Sequence, residues 1–513
     1  MSILMRHREW LRNLLAPFPL LLRLTHAAGW TTLGTLIGNG LTFLAMIGVA
    51  RILGREAFGE VGILQSTTTM FQVFAAVGLG MTAMKHVAEY RAKQPERAGH
   101  IIAISDLTAV VAGGIAATVV LVFAPWLAAN ILVRPAMTPL LRIAAVTIGL
   151  SSLSGAMNGT LAGMEEFRSI ALINFVGGLI GFPLVLCGAV WKGVEGVVIA
   201  LAMQAFLNCL LLNWMARRKA RKHGIPIRLK GATEWKVLWR FSLPALLAGI
   251  AISPAEWVCS AMLVHHNGYS QMGFYTAAMQ WRNVLMFIPI MIVQSALPVF
   301  ASVKSAHGEA SAEFNRLMVI SQGAIMLLIL PIATLLMFLS HEVFRLYGAA
   351  YLPGSATLIG VCFLVIVHCS GCGLGPAIEA WGNMWAPAVF NFCWGLIYIL
   401  LVWAEVGRWG ALALPFSAGV ATVAQTYMYL LYFHRRFPEN IGTRISGVVA
   451  AAIVLASFCL ALPAGVRVWL AVPCFATVLL FAVLYFSDRE LVYGTLVSSW
   501  NTMASSWKSR HGF

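Results

Sequence analysis

Charge is what this chain lacks: only 11% of its 513 residues are Asp, Glu, Lys or Arg, while 60% are hydrophobic. A soluble protein of that length needs far more polar surface, so the composition excludes an ordinary soluble globular fold. Long hydrophilic stretches are also missing. No loop between apolar runs is much longer than about 25 residues, which leaves no room for a soluble domain. There is no Gly-x-x-x-x-Gly-Lys phosphate loop, so ATP hydrolysis is not expected to drive the protein. No catalytic constellation stands out, no cofactor is expected, and no small-residue cleavage site marks a secretory signal near the start. The nine cysteines lie almost wholly within apolar runs and read as small packing residues, not as a disulfide framework. His368, Cys369 and Cys372 share one expected helix with Cys362, and one helix cannot easily wrap a tetrahedral ion. Packing is expected there, and no metal.

What is present is a succession of apolar stretches, each near the roughly 20 residues that cross a bilayer as a helix. About fourteen can be marked between residues 27 and 486, which makes the chain an all-α polytopic membrane protein. Its most basic run is Arg217–Arg240, which holds nine of the 35 Lys and Arg residues. Such a run can bind nucleic acid; flanked this closely by apolar segments it is expected to be topogenic, with no nucleic-acid partner. Placing it in the cytoplasm puts about 26 of the 35 basic residues on that side, including Lys85–Arg97, Arg435 and Arg436, as the positive-inside rule requires. Both termini are then cytoplasmic. The expected organisation is an interfacial N-terminal segment 1–26 with Trp10 inward, an N-lobe 27–214 and a basic linker 215–240. A C-lobe 241–432, a helical hairpin 433–486 and a cytoplasmic tail 487–513 complete it. The linker charges suit the anionic inner leaflet, so membrane lipids are expected partners.

The two lobes echo one another. Leu53-Gly54-Arg55-Glu56-Ala57-Phe58-Gly59 is matched, at an offset of 214 in numbering, by Asn267-Gly268-Tyr269-Ser270-Gln271-Met272-Gly273. Ser154-Gly155, Gly163-Met164-Glu165 and Asn174 are matched at offsets of 216 to 217 by Ser370-Gly371, Ala380-Trp381-Gly382 and Asn391. A duplicated six-helix unit in parallel orientation follows, with the last two spans appended.

Six spans, a basic connector, six more spans and the motif Arg51-Ile52-Leu53-Gly54 through Phe58-Gly59 resemble the Wzx-type polysaccharide and O-antigen flippases of the multidrug/oligosaccharidyl-lipid/polysaccharide exporter superfamily. The resemblance covers most of residues 27–435. It implies two six-helix bundles in a V-shaped pseudo-twofold arrangement around a cavity that opens alternately to each side. It also implies an undecaprenyl-diphosphate-linked oligosaccharide as cargo, moved across the inner membrane without enzymatic chemistry, and a polysaccharide polymerase or export machinery as partner. A cation-coupled multidrug exporter and a lipid II flippase of the same superfamily are alternatives; a membrane glycosyltransferase or polymerase fits less well, because its acidic or Arg/His cluster is missing.

Charges within apolar spans are costly and tend to face a cavity or a partner. Arg282, in Gln280-Trp281-Arg282-Asn283, has three compatible roles: pairing with a diphosphate or sugar acid, a structural ion pair with Glu256, or snorkelling to the interface. Glu256, just after Pro254, and Asp106 are candidates for binding a coupling proton or sodium ion. Asn39, Gln65, Gln280 and Asn283 complete the expected translocation path. Thr67, Thr68, Thr69 and Gln72 make a polar lining feasible, although threonines in membrane helices usually bond their own backbone.

Overall fold

The computed structural model describes residues 19–76, 78–229, 250–307, 312–381, 385–434 and 439–486. Residues 1–18 of the N-terminal segment, the linker beyond residue 229, Gly382, Arg435, Arg436 and the tail from 487 lie outside the described residues. Among the described residues all regular structure is helical: α1 (Pro19–Ala76), α2 (Leu79–Tyr90), α3 (Pro95–Trp126), α4 (Thr138–Gly163), α5 (Phe167–Lys222), α6 (Ile252–His307) and α7 (Ala312–Phe338) come first. They are followed by α8 (Ser340–Arg345), α9 (Ser355–Ser370), α10 (Leu374–Ala380), α11 (Trp385–Trp409), α12 (Ala413–Tyr432), α13 (Glu439–Ala461) and α14 (Ala464–Phe486). A chain this apolar satisfies its backbone internally, and helices do so within one segment.

Ten helical stretches among the described residues are long and apolar enough to cross a membrane, against fourteen hydropathy segments in the sequence. The difference lies in four stretches: Gly34–Ala76 (43 residues), Phe167–Lys222 (56), Ile252–Val293 (42) and Trp385–Tyr432 (48). Each is far longer than the roughly 20 residues of a single crossing. Each also contains a break: at Gly54, at Lys192–Gly193, at Gly268 and at Gly410.

Those breaks repeat. Gly54 has φ 75° and ψ 173°; Gly268, its match in the second half, has φ 78° and ψ 176°. Gly193 and Gly410, related by nearly the same offset, have φ 58° and 53°. Left-handed φ of this kind is open to glycine and costly for other residues. The buried clusters repeat as well. Leu161 and Ile225 belong to one in the first half; Ala377 and Ile441, their counterparts at one shared offset, belong to another in the second.

The chain forms two compact units, Met1–Gly273 and Phe274–Phe513, with the boundary inside α6. In the first unit α1 and α5 pack through small residues, the means by which membrane helices approach without a hydrophobic drive between them. A methyl on Gly38 would stand 2.5 Å from the Asn174 carbonyl oxygen, and one on Gly178 would stand 2.7 Å from the Gly38 Cα. Exposed tryptophans mark the edges of the apolar band. Trp191 carries Lys192 Nζ 5.0 Å from its ring centroid, and Trp214 carries the Arg218 guanidinium at 5.1 Å. The part of α5 between the Lys192–Gly193 break and Trp214 is about 30 Å long at helical rise, close to a bilayer's hydrocarbon thickness.

Candidate substrate site

The close α1–α5 packing leaves a cavity of about 310 Å³ beside it, lined by Gly38, Asn39 and Thr42 of α1 and by two stretches of α5, around Asn174 and around Gln204. The glycines at the contact remove side chains, and two half-buried amides of α5 bond across the space beside them. Asn174 Nδ2 donates to Thr35 Oγ1 at 3.2 Å, and Gln204 Nε2 donates to the Gly177 carbonyl at 3.2 Å. Thr42 Oγ1 donates back to the Gly38 carbonyl at 3.0 Å. With Asn208, the lining offers amides and a hydroxyl and contains no charged side chain. Amides carry donors and acceptors together, which is the complement of a sugar hydroxyl; a cationic ligand calls for a carboxylate, and none lines this cavity.

Of the residues expected from sequence, Asn39 lines the cavity. Gln65 is half-buried further along α1, beyond the Gly54 break. Near it Thr67 and Thr68 donate to the carbonyls of Ile63 and Leu64, both at 2.8 Å, so these threonines do bond their own backbone. Gln72 instead crosses to Ser151 Oγ at 3.0 Å. Glu256 is half-buried in the part of α6 that belongs to the first unit; its neighbour Trp257 donates through Nε1 to Thr67 Oγ1 at 3.0 Å. Asp106 has Oδ1 buried with no hydrogen-bond partner among the described residues.

Arg282, Gln280 and Asn283 fall in the second unit. Arg282 is half-buried, and the Tyr347 hydroxyl reaches Gln280 Oε1 at 3.4 Å. Asn283 is exposed.

Sequence reasoning did not single out Thr42, Gln204 or Asn208, and it used Asn174 only as a repeat marker. A signal existed for two of them: Gln204 and Asn208 are amides at i and i+4, on one face of an apolar helix. Also unforeseen was a hub at the start of the basic run. Glu166, in the turn between α4 and α5, accepts from Lys219 Nζ at 2.7 Å, from Ser169 Oγ at 3.1 Å and meets His223 Nε2 at 3.3 Å. Burial pushes the Glu166 carboxyl upward, but the bonds from Lys219, His223 and Ser169 outweigh it and hold the group below the usual carboxylate range.

The profile of a family described as "Polysaccharide biosynthesis protein" matches residues 24–304, more than half of the chain and all of the cavity lining. The chain belongs to that family. Among the relatives of this family member is the "EPS I polysaccharide export inner membrane protein EpsE" of Ralstonia nicotianae, 24% identical over 370 residues, which are 70% of this chain and 82% of that protein. The EpsE protein of Ralstonia solanacearum is 24% identical over 431 residues, 81% of this chain and 93% of that one. Solved structures share the fold. An inward-facing multidrug resistance MATE family transporter of the MOP superfamily superposes with TM-score 0.67 at 15% identity, over 81% of this chain and 95% of that chain. The lipid II flippase MurJ in an inward closed conformation gives TM-score 0.67 at 13% identity, over 91% and 99%. The family member described here thus has the exporter fold of that superfamily, with an uncharged cavity in its first unit.

Proposed function

We propose that this chain is a polysaccharide-precursor flippase, which moves an undecaprenyl-diphosphate-linked oligosaccharide across the inner membrane by alternating access and performs no enzymatic step. The observation that carries the reading is the lining of the α1–α5 cavity, where Asn39, Thr42, Asn174, Gln204 and Asn208 supply hydroxyl-matching groups and no charge. That lining suits a glycan better than a cationic drug. The family and the polysaccharide-export name carried by both Ralstonia relatives support the same cargo class.

In this reading the four long, interrupted helices each cross twice, which brings the spans to fourteen, and both termini are cytoplasmic. Arg282 receives the diphosphate as paired donors; Gln65, Gln280 and Asn283 lie along the path. Glu256 binds the coupling proton or sodium ion. It is related to Thr42 by the same offset that relates Gly268 to Gly54, so in the duplicated unit it takes the place of a residue that lines the cavity. Asp106 is a second coupling candidate because of its unpartnered buried oxygen. A polysaccharide polymerase receives the product.

The test is complementation of a deletion strain. Asn174→Leu and Gln204→Met approximately keep side-chain size while removing the amides, and each is expected to cut surface polysaccharide at least tenfold with protein level in the membrane unchanged. Normal polysaccharide from both variants overturns the reading.

A further inference from the structure

The loop between α3 and α4 ties together the two equivalent breaks at Gly54 and Gly268. Glu56 and Glu60 follow the first break, and Tyr269 directly follows the second. Arg134, in the loop, reaches all three: its Nη1 lies 2.7 Å from Glu60 Oε1 and 3.2 Å from Glu56 Oε1, and its guanidinium stands 5.2 Å from the Tyr269 ring centroid. Tyr269 answers by donating its hydroxyl to the Leu132 carbonyl of the same loop at 2.6 Å. The loop is held under strain to do this. Val133, between Leu132 and Arg134, has φ 52°, a conformation that a β-branched residue keeps only when its surroundings enforce it. The Glu60 side chain is only 12% exposed, so its bond to Arg134 is better shielded from solvent than that of Glu56.

All of these residues lie in the first unit, whose last segment runs from Tyr269 to Gly273 before α6 continues into the second. The repeat offsets of 214 to 217 place Gly348, Ala349, Ala350 or Tyr351 at the position equivalent to Arg134, so none of the candidates supplies a cation there.

We propose that Arg134 is a latch: it holds the segments after Gly54 and Gly268 together, and transport requires its release so that the cavity opens on the side of this loop. The inference rests on the alternating-access reading above. Arg134 does not touch the cavity, whose α1 lining is Gly38, Asn39 and Thr42; it acts by positioning the segments that follow the two breaks. A guanidinium suits the task because it pairs with carboxylates and stacks on an aromatic ring at once.

The experiment reads accessibility, which does not depend on cargo. A thiol placed in the cavity by Asn39→Cys is labelled with a membrane-impermeant maleimide applied to spheroplasts from outside, counted above the parent that lacks it. Arg134→Gln and Glu60→Gln, each added to Asn39→Cys, are expected to raise the labelling rate at least threefold, and Arg134→Lys less than Arg134→Gln. Tyr269→Phe, which keeps the stacking ring and loses only the hydroxyl bond, is the mildest variant and should give a smaller rise. Labelling rates equal to or below that of Asn39→Cys alone in folded Arg134→Gln and Glu60→Gln overturn the latch. Loss of polysaccharide export is scored separately in complementation, so a failed cargo assignment leaves the labelling result readable.

Discussion

Gly59 and Gly273 are reciprocal: the Tyr269 carbonyl closes over the Cα of Gly59, and the Arg55 carbonyl closes over the Cα of Gly273. The pairs Gly59–Gly273 and Arg55–Tyr269 are both related by the repeat offset, so the contact is that of two equivalent segments packed about a local twofold. Neither position has room for a methyl group. Gly59→Ala and Gly273→Ala should each lower stability by about 1–3 kcal/mol, as overpacking does. Because both disturb one contact, the double variant should cost less than the sum. Thermal melting in detergent measures all three, and strict additivity would contradict a shared contact.

The breaks at Gly54 and Gly268 need glycine for conformation, not for space, since nothing lies within 4 Å of a Cβ at either site. Gly54→Ala and Gly268→Ala should therefore each cost about 1–3 kcal/mol in spite of the open surroundings. Gly40, equally open but inside helix α1, is the control: Gly40→Ala should be neutral or stabilising by about 0.5–1 kcal/mol. A Gly40→Ala melting temperature at or below those of Gly54→Ala and Gly268→Ala would remove the conformational argument.

The Glu166 hub gives a pH dependence with a definite sign. Its carboxyl titrates below the ordinary value of 4.5 in the folded chain, so the native state favours the ionised form. The stabilisation is in full force above pH 4.5 and disappears as pH falls through the lowered folded value. Melting followed from pH 7 down to pH 3 should show a decline that is reduced in Glu166→Gln and in Lys219→Ala. An identical decline in all three proteins would place the acid lability elsewhere.

Coupling separates the two carboxyl candidates. If Glu256 holds the coupling ion, Glu256→Gln abolishes the response of polysaccharide export to collapse of the proton or sodium gradient, while Asp106→Asn retains it. If Asp106 holds it, the results exchange. Gradient dependence that survives in both single variants and in the double variant would exclude both residues from the role.

Much of the fold was legible because a membrane imposes few solutions. Apolar length, the bias of Lys and Arg and the spacing of Gly54 and Gly268 are one-dimensional quantities, and all three are readable without coordinates. The site was less so. Asn39 stood out as an amide in an apolar span, but Gln204 lies far along the chain and reaches the same cavity only because α1 and α5 pack through Gly38 and Gly178. The basic run also changed character. Lys219 and His223, read from sequence as part of a basic linker facing the inner leaflet, meet Glu166 in the turn between α4 and α5.

The sequence by itself determined that this chain is a helical membrane protein, that its halves echo one another at a nearly constant offset, and that it resembles the polysaccharide flippases. Hydropathy, topogenic charge and repeat spacing act locally along the chain, and so survive in its one-dimensional order. Only the tertiary structure decided which polar side chains share a cavity, that Gly59 and Gly273 are partners, and that Arg134 joins Glu60 to Tyr269. Those are meetings between residues far apart in sequence, set by where glycine lets two backbones approach.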